Sequence, residues 1–192
     1  ASTVPFSCHE NYLWHFTRTC NGPWPGQTEN EYFLSLIENR PGAAHTGLNT
    51  LIQILTEQKI RASSKIIRGQ YGVVSLSAEI PNRLLITRRF RASLARWDFE
   101  PYAVGIKRDL AEKLGVRPVS YLPSKEYQGL SVSDRPFFQR GDEHSMDWRH
   151  EKEWRYLEDL NIEPIYPSEL CVVIPNSEVP DARNQRAGAG IK

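Results

Sequence analysis

The chain has 192 residues, 40% of them hydrophobic and 24% charged, with a formal net charge of +1. This composition excludes a disordered or fibrous polypeptide, and the length suits one domain with a real core. The apolar runs are too short for a transmembrane helix, and Cys8, Cys20 and Cys171, an odd number without CxxC spacing, fit neither a disulfide framework nor a zinc site. Three reduced thiols and no secretory-signal layout predict a cytoplasmic protein.

The first predicted strand is Tyr12 to Thr17, rich in aromatic and β-branched residues. A Gly/Pro loop follows, Asn21-Gly-Pro-Trp-Pro-Gly26. Thr28 and Glu31 then form a capping box ahead of Tyr32, Phe33, Leu36 and Ile37 at helical spacing. A second helix is expected from about Asn49, as its cap, to Lys59, with Leu48, Leu51, Ile52 and Leu55 on one face. Tyr71 to Ser77 reads as a strand, and the Arg-rich stretch from Asn82 to Trp97 as either helix or loop. Tyr102 to Lys107 is a strand, and 108–114 a short helix closed by Gly115. Strands are expected at Pro118 to Leu122, Trp148 to Leu157 and Leu170 to Ile174. Residues 176–192 read as a loose tail. Strands outnumber helices and do not alternate with them. The expected fold class is therefore α+β, with mixed, mostly antiparallel sheets and flanking helices, in a single domain over 1–192.

Charge is unevenly spread. From Lys59 to Arg96 there are nine Lys or Arg and one acid, Glu79; from Asp142 to Glu163 there are eight acids and three bases. Arg83, Arg88, Arg89 and Arg91 are candidates for nucleic-acid phosphates. The alternative is that this basic stretch faces the acidic third of the same molecule.

Two strands mix polar with bulky apolar residues. Residues i and i+2 share a face, so His15 and Thr17 point one way, and Trp14 and Phe16 the other, into a core. Glu151 and Glu153 likewise share a face, with Arg149 and Arg155 there to neutralise them. No Walker or Rossmann glycine pattern is present, and no G-x-S-x-G elbow. Asp142, Glu143, His144 and His150 fit no metal-ligand spacing, and no metal is expected.

Leu13-Trp14-His15-Phe16-Thr17-Arg18, Gly72-Val73-Val74-Ser75-Leu76-Ser77 and Lys152-Glu153-Trp154-Arg155-Tyr156 together resemble the three catalytic strands of the ADP-ribosyltransferase superfamily, in its H-Y-E branch. Leu51-Ile-Gln-Ile-Leu55 and Trp148-Arg-His-Glu-Lys-Glu-Trp-Arg155 bring the likeness nearer to bacterial DarT-like DNA ADP-ribosyltransferases and AbiGi-like phage-resistance proteins. The resemblance implies an ADP-ribosyltransferase-like fold and NAD as substrate, without a metal. It maps the catalytic Glu onto Glu153, with Glu151 orienting or deprotonating the acceptor. It puts His15, Thr17, Arg18, Ser77 and Tyr71 on NAD, and makes Arg18, Arg61, Arg68, Arg88 and Arg89 candidates for the pyrophosphate. The acceptor implied is a macromolecule, DNA, RNA or protein. The role implied is that of a toxin or anti-phage effector, with a cognate antitoxin or immunity partner and no membrane. The family's nicotinamide-stacking Tyr has no counterpart after Ser77, where the chain reads Ala78-Glu-Ile-Pro81. The segment from Cys20 to Thr46 is a long insertion, expected to be a substrate-facing loop or lid. The alternative function is a non-catalytic module of the same fold that binds nucleic acid or a protein, of immunity or antitoxin type.

Overall fold

A computed structural model describes residues 11–65, 67–141 and 148–178. Cys8, the Asp142–Glu143–His144 part of the acidic cluster and the tail beyond Glu178 lie outside the described residues. The strands are β1 (Tyr12–Phe16), β2 (Lys59–Ile60), β3 (Val73–Ser77), β4 (Phe90–Arg91), β5 (Arg96–Trp97), β6 (Ala103–Lys107), β7 (Arg117–Pro118), β8 (Ser120–Leu122), β9 (Phe138–Arg140), β10 (Glu153–Leu157), β11 (Leu160–Asn161) and β12 (Leu170–Val173). The helices are α1 (Glu29–Ile37), α2 (Gly47–Glu57), α3 (Pro81–Thr87) and α4 (Arg108–Leu114). Six strands form one sheet in the order β12-β6-β1-β3-β10-β7, with every pairing antiparallel. Among the described strands only β8 and β9 pair in parallel. The molecule is thus α+β with mostly antiparallel sheets.

The alternation in β1 decides which core each residue joins. Leu13 joins Val74, Leu76, Val104 and Ile106 beneath α2, α4 and the β11 region, through Leu51, Ile54, Ala111 and Leu160. Tyr12, Trp14 and Phe16 join Leu84 of α3, Phe99 and Ala103. Each fully buried aliphatic or aromatic side chain contributes roughly 1.5–3 kcal/mol, so β1 is pinned from both sides. Gly105 stands opposite Trp14 in register, and a Cβ there would lie 2.5 Å from Trp14 Cζ3. The indole needs the space that glycine leaves.

Local signals account for the helix starts. Thr28 and Glu31 cap α1 reciprocally, as expected. The second helix starts earlier than its apolar pattern suggests. Thr46 is its cap, and Asn49 is the third helical residue, accepting from Thr46 N–H at 3.2 Å. Gln58 in the left-handed region ends it, so Lys59 belongs to a strand. The Arg-rich stretch, expected as helix or loop, is a helix in its first half and a strand hairpin in its second. Pro81 opens α3, and β4 and β5 then form a hairpin turned by Ala95 at φ +48°. Two expected strands are interrupted. Residues 117–122 split, because β7 edges the main sheet while β8 leaves to pair with β9. Trp148–Glu151 is a 3-10 turn, and Lys152 at φ +45° breaks it from β10. Glu151 and Glu153 therefore do not share a strand face. No helix among the described residues is long and apolar enough to cross a membrane. Cys20 and Cys171 are free thiols.

Candidate active site

β1 and β3 pair at one position only, Trp14 opposite Ser77. Beyond it the ladder stops, and a cavity of about 900 Å³ opens, lined by His15, Ser75, Glu153 and the residues that follow β1. That volume lies at the upper end for small-molecule and cofactor sites. The strands of His15 and Glu153 share the sheet, but β3 runs between them.

Ser75 bridges that gap. His15 Nδ1 meets the Ser75 carbonyl at 2.9 Å, and the Ser75 hydroxyl donates to Glu153 Oε1 at 2.8 Å. A carbonyl only accepts, so Nδ1 carries the proton and Nε2 is left as an acceptor. Burial pushes the His15 pKa down to about 4, against the Ser75 hydrogen bond and with help from the Arg18 charge. The imidazole is neutral at pH 7.

With the Ser75 hydroxyl, Glu153 is held at four points. Its N–H donates to the Tyr121 hydroxyl at 3.0 Å. Arg155 Nε donates to Oε1 at 2.9 Å, and Nη2 to Oε2 at 3.0 Å. A carboxylate offers about four acceptor positions. Three are filled, and the remaining one is on Oε2. Burial pushes the Tyr121 pKa up to about 12.

Glu151 reaches the same cavity from the preceding turn. Burial raises its pKa to about 7; the Arg18 charge opposes this, and the charges of Glu153 and Asp98 add to it. Such a carboxyl can take and return a proton near neutrality. The turn that carries it is tied to β3. Ser77 donates to the Glu151 carbonyl at 2.5 Å, and Ala78 N–H to the Lys152 carbonyl at 3.0 Å. Ser77 thus lines the cavity while holding the Glu151 backbone.

The other expected residues separate into those the cavity gathers and those it does not. Thr17 lines it, but its hydroxyl donates to the Gly47 carbonyl at 2.7 Å and ties β1 to α2, leaving only lone pairs for a ligand. Arg18 lines it with its guanidinium 5.2 Å from the Phe99 ring, and its buried Nε meets no hydrogen-bond partner among the described residues. Arg61 lines it while paired with Glu57 at 2.8 Å. Arg91 lines it while paired with Asp98. Tyr71 is not among the lining residues; it packs on Gly69. Arg68, Arg83, Arg88 and Arg89 are not among them either. Arg68 lies over Tyr127 at 4.0 Å, Arg83 is 3.6 Å from Glu79, and Arg88 lies over Trp97 at 4.9 Å. Arg149 is exposed and donates to the Gly141 carbonyl at 3.3 Å.

Sequence reasoning missed Ser75, Tyr121 and Arg96 as site residues. Ser75 carries a signal, since it shares the alternation of Ser77 in β3. Tyr121 carries none, lying 32 positions from Glu153. Arg96 is half-buried in the cavity wall; burial lowers its pKa, and the nearby Arg18 charge lowers it further. The segment from Cys20 to Thr46, expected as a substrate-facing loop or lid, lines the cavity with Trp24, Gln27, Glu31 and Arg40. His45 is buried there, stacked on Trp24 at 3.6 Å and bonded through Nδ1 to the Gly22 carbonyl at 2.8 Å. No group of three or more His, Cys, Asp or Glu side chains is placed to hold a metal among the described residues.

The cavity therefore joins an imidazole acceptor, a fixed carboxylate, a second carboxyl titrating near 7 and two neighbouring guanidinium groups. No protein-family model, curated protein or solved structure matches this chain.

Proposed function

We propose that this chain is an NAD-dependent ADP-ribosyltransferase with an ADP-ribosyltransferase-like fold, acting on a macromolecular acceptor. The observation that carries this reading is the Ser75 bridge, which brings His15 and Glu153 to one cavity across an intervening strand. In the reaction, the bond between the nicotinamide nitrogen and the ribose C1′ breaks, and nicotinamide leaves with the electron pair. Positive charge develops on the ribosyl group. Glu153 stabilises that charge and accepts from the ribose 2′-hydroxyl at its open Oε2 position. His15 Nε2 accepts from a hydroxyl of the adenosine ribose. Arg18 and Arg96, which both line the cavity, share the pyrophosphate through their guanidinium groups, and Arg61 of the same lining supports them. The acceptor atom then bonds to C1′, and its proton passes to Glu151.

A second reading has its own observation. Phe90 and Trp97 form an exposed edge-to-face pair on the β4–β5 hairpin, with Arg88 over the indole and Arg83 exposed nearby. A binding module would use such a surface for nucleic acid, through base stacking and phosphate contacts.

Incubation with labelled NAD and separate pools of DNA, RNA and protein tests both. The transferase reading expects free nicotinamide and label in one pool. Nucleic-acid binding without nicotinamide release would favour the module.

A further inference from the structure

Arg155 is 1% exposed, and a guanidinium so placed must find partners for five N–H groups. It finds five. Nε donates to Glu153 Oε1 at 2.9 Å, and Nη2 to Glu153 Oε2 at 3.0 Å and to Gln139 Oε1 at 2.8 Å. Nη1 donates to the Pro136 carbonyl at 2.8 Å and the Phe138 carbonyl at 2.9 Å. Three of those acceptors belong to the segment that forms β9 and the turn before it. β9 pairs with β8, and Gln139 stands opposite Tyr121 in register. Tyr121 in turn accepts the Glu153 N–H. The β8–β9 pair thus grips one glutamate twice, through Tyr121 at its backbone and through Gln139 and Arg155 at its carboxylate.

Stability alone does not account for this. A buried ion pair costs desolvation that its attraction often fails to return, and well-packed apolar residues serve a core as well or better. What a fully satisfied fork does supply is a fixed direction, because a planar guanidinium with every donor engaged cannot turn.

We propose that Arg155 is a positioning residue that, braced by β8 and β9, holds the Glu153 carboxylate with its open Oε2 position toward the bound ribose. The proposal rests on the transferase reading for what Glu153 does; the clamp itself does not. Misplacing a reacting group by about 1 Å can cost on the order of 100-fold in rate.

The test compares wild type with Arg155→Lys and Gln139→Leu. Lysine keeps the charge but not the fork, and leucine removes one brace. For both, nicotinamide release is expected to fall in kcat, by about 10- to 100-fold for Arg155→Lys and less for Gln139→Leu. NAD affinity measured by calorimetry should stay within about threefold, since neither change removes the ground-state contacts of His15 or Arg18. A second readout needs no NAD. The Arg155 Nε–H resonance, assigned in the wild type by through-bond NMR correlations, should exchange with water roughly 100-fold more slowly than exposed arginines, and should move in Glu153→Gln. If Arg155→Lys does not fold, Gln139→Leu and the resonance decide. Wild-type kcat in Gln139→Leu together with a fast-exchanging Nε–H overturns the proposal. Absence of nicotinamide release from wild type sinks the transferase reading instead, and the resonance still decides whether the clamp exists.

Discussion

Arg155 and Arg18 line one cavity, and their surroundings are opposite in kind. Arg155 has an acceptor from the protein for each of its N–H groups. Arg18 has a buried Nε with no partner among the described residues, and a neighbouring guanidinium, Arg96, whose pKa is lowered by burial and then by the Arg18 charge. A buried donor left unmatched costs about 1–3 kcal/mol, and two like charges side by side add to the cost. The fold accepts both costs at Arg18 and neither at Arg155. On the transferase reading, the satisfied Arg155 holds the machinery still, and the unpartnered Arg18 donor is left for a ligand of opposite charge.

The largest expected effect comes from the group that Arg155 holds. Glu153→Gln should lower nicotinamide release on the order of 100- to 1000-fold while NAD still binds. Single-turnover assays beside calorimetry separate the two. If release is unchanged, the fixed carboxylate is structural and the contrast between the two arginines loses its meaning.

Next comes the unsatisfied arginine. Arg18→Gln should weaken NAD binding about 10- to 100-fold, the range expected when a charge-assisted hydrogen bond to an anion is lost. Turnover at saturating NAD should hardly change. AMP and adenosine, compared by calorimetry, sharpen the point: the penalty should follow the phosphate and vanish with adenosine.

The pH dependence of stability tests the buried titratable groups of the cavity. His15 falls from 6.5 to about 4, so between those values the unfolded chain binds more protons, and stability rises with pH. Glu151 rises from 4.5 to about 7, so between those values the folded chain binds more protons, and stability falls as pH rises. The two oppose each other up to about pH 6.5, and above it only the loss from Glu151 remains. Glu151→Gln should remove that loss, and Tm followed from pH 4.5 to 7.5 reads it. Identical profiles for variant and wild type would mean that Glu151 is not held in a desolvated site. If Glu151 takes the acceptor's proton, transfer in the wild type should also rise with pH through about 7, while nicotinamide release should not.

Much of this arrangement was legible in the residues, and the part that was not has a common cause. Strand alternation placed Trp14 and Phe16 in a core and His15 away from it, because period-2 geometry is local. Thr28-x-x-Glu31 marked α1 for the same reason. The break at Lys152 was not legible. No glycine or proline marks it, and the left-handed turn is stabilised by Ser77 and Ala78, more than 70 positions earlier. Tyr121 and Gln139 were hidden likewise, since their meaning comes from pairing with each other and from contact with β10. Local pattern located most strands of the six-stranded sheet but not β2, β4, β5, β9 or β11, and long-range pairing decided which side chains were already spoken for.

The smallest effect is the most discriminating, because it falls on the neighbour of Arg18. Thr17 was expected on NAD, yet its hydroxyl hydrogen goes to Gly47 and its side chain is buried. Thr17→Val keeps the shape and removes the bond, so it should cost about 1 kcal/mol of stability, the usual worth of one hydrogen bond. NAD affinity should be unchanged within error. Denaturant unfolding and calorimetry on the same preparation read both. If affinity falls as far as it does in Arg18→Gln, then Thr17 contacts ligand through its lone pairs, and engagement with the protein is no guide to function in this cavity. If only stability falls, two consecutive residues divide the work. One anchors β1 to α2, and the next carries an unmatched charge into the site.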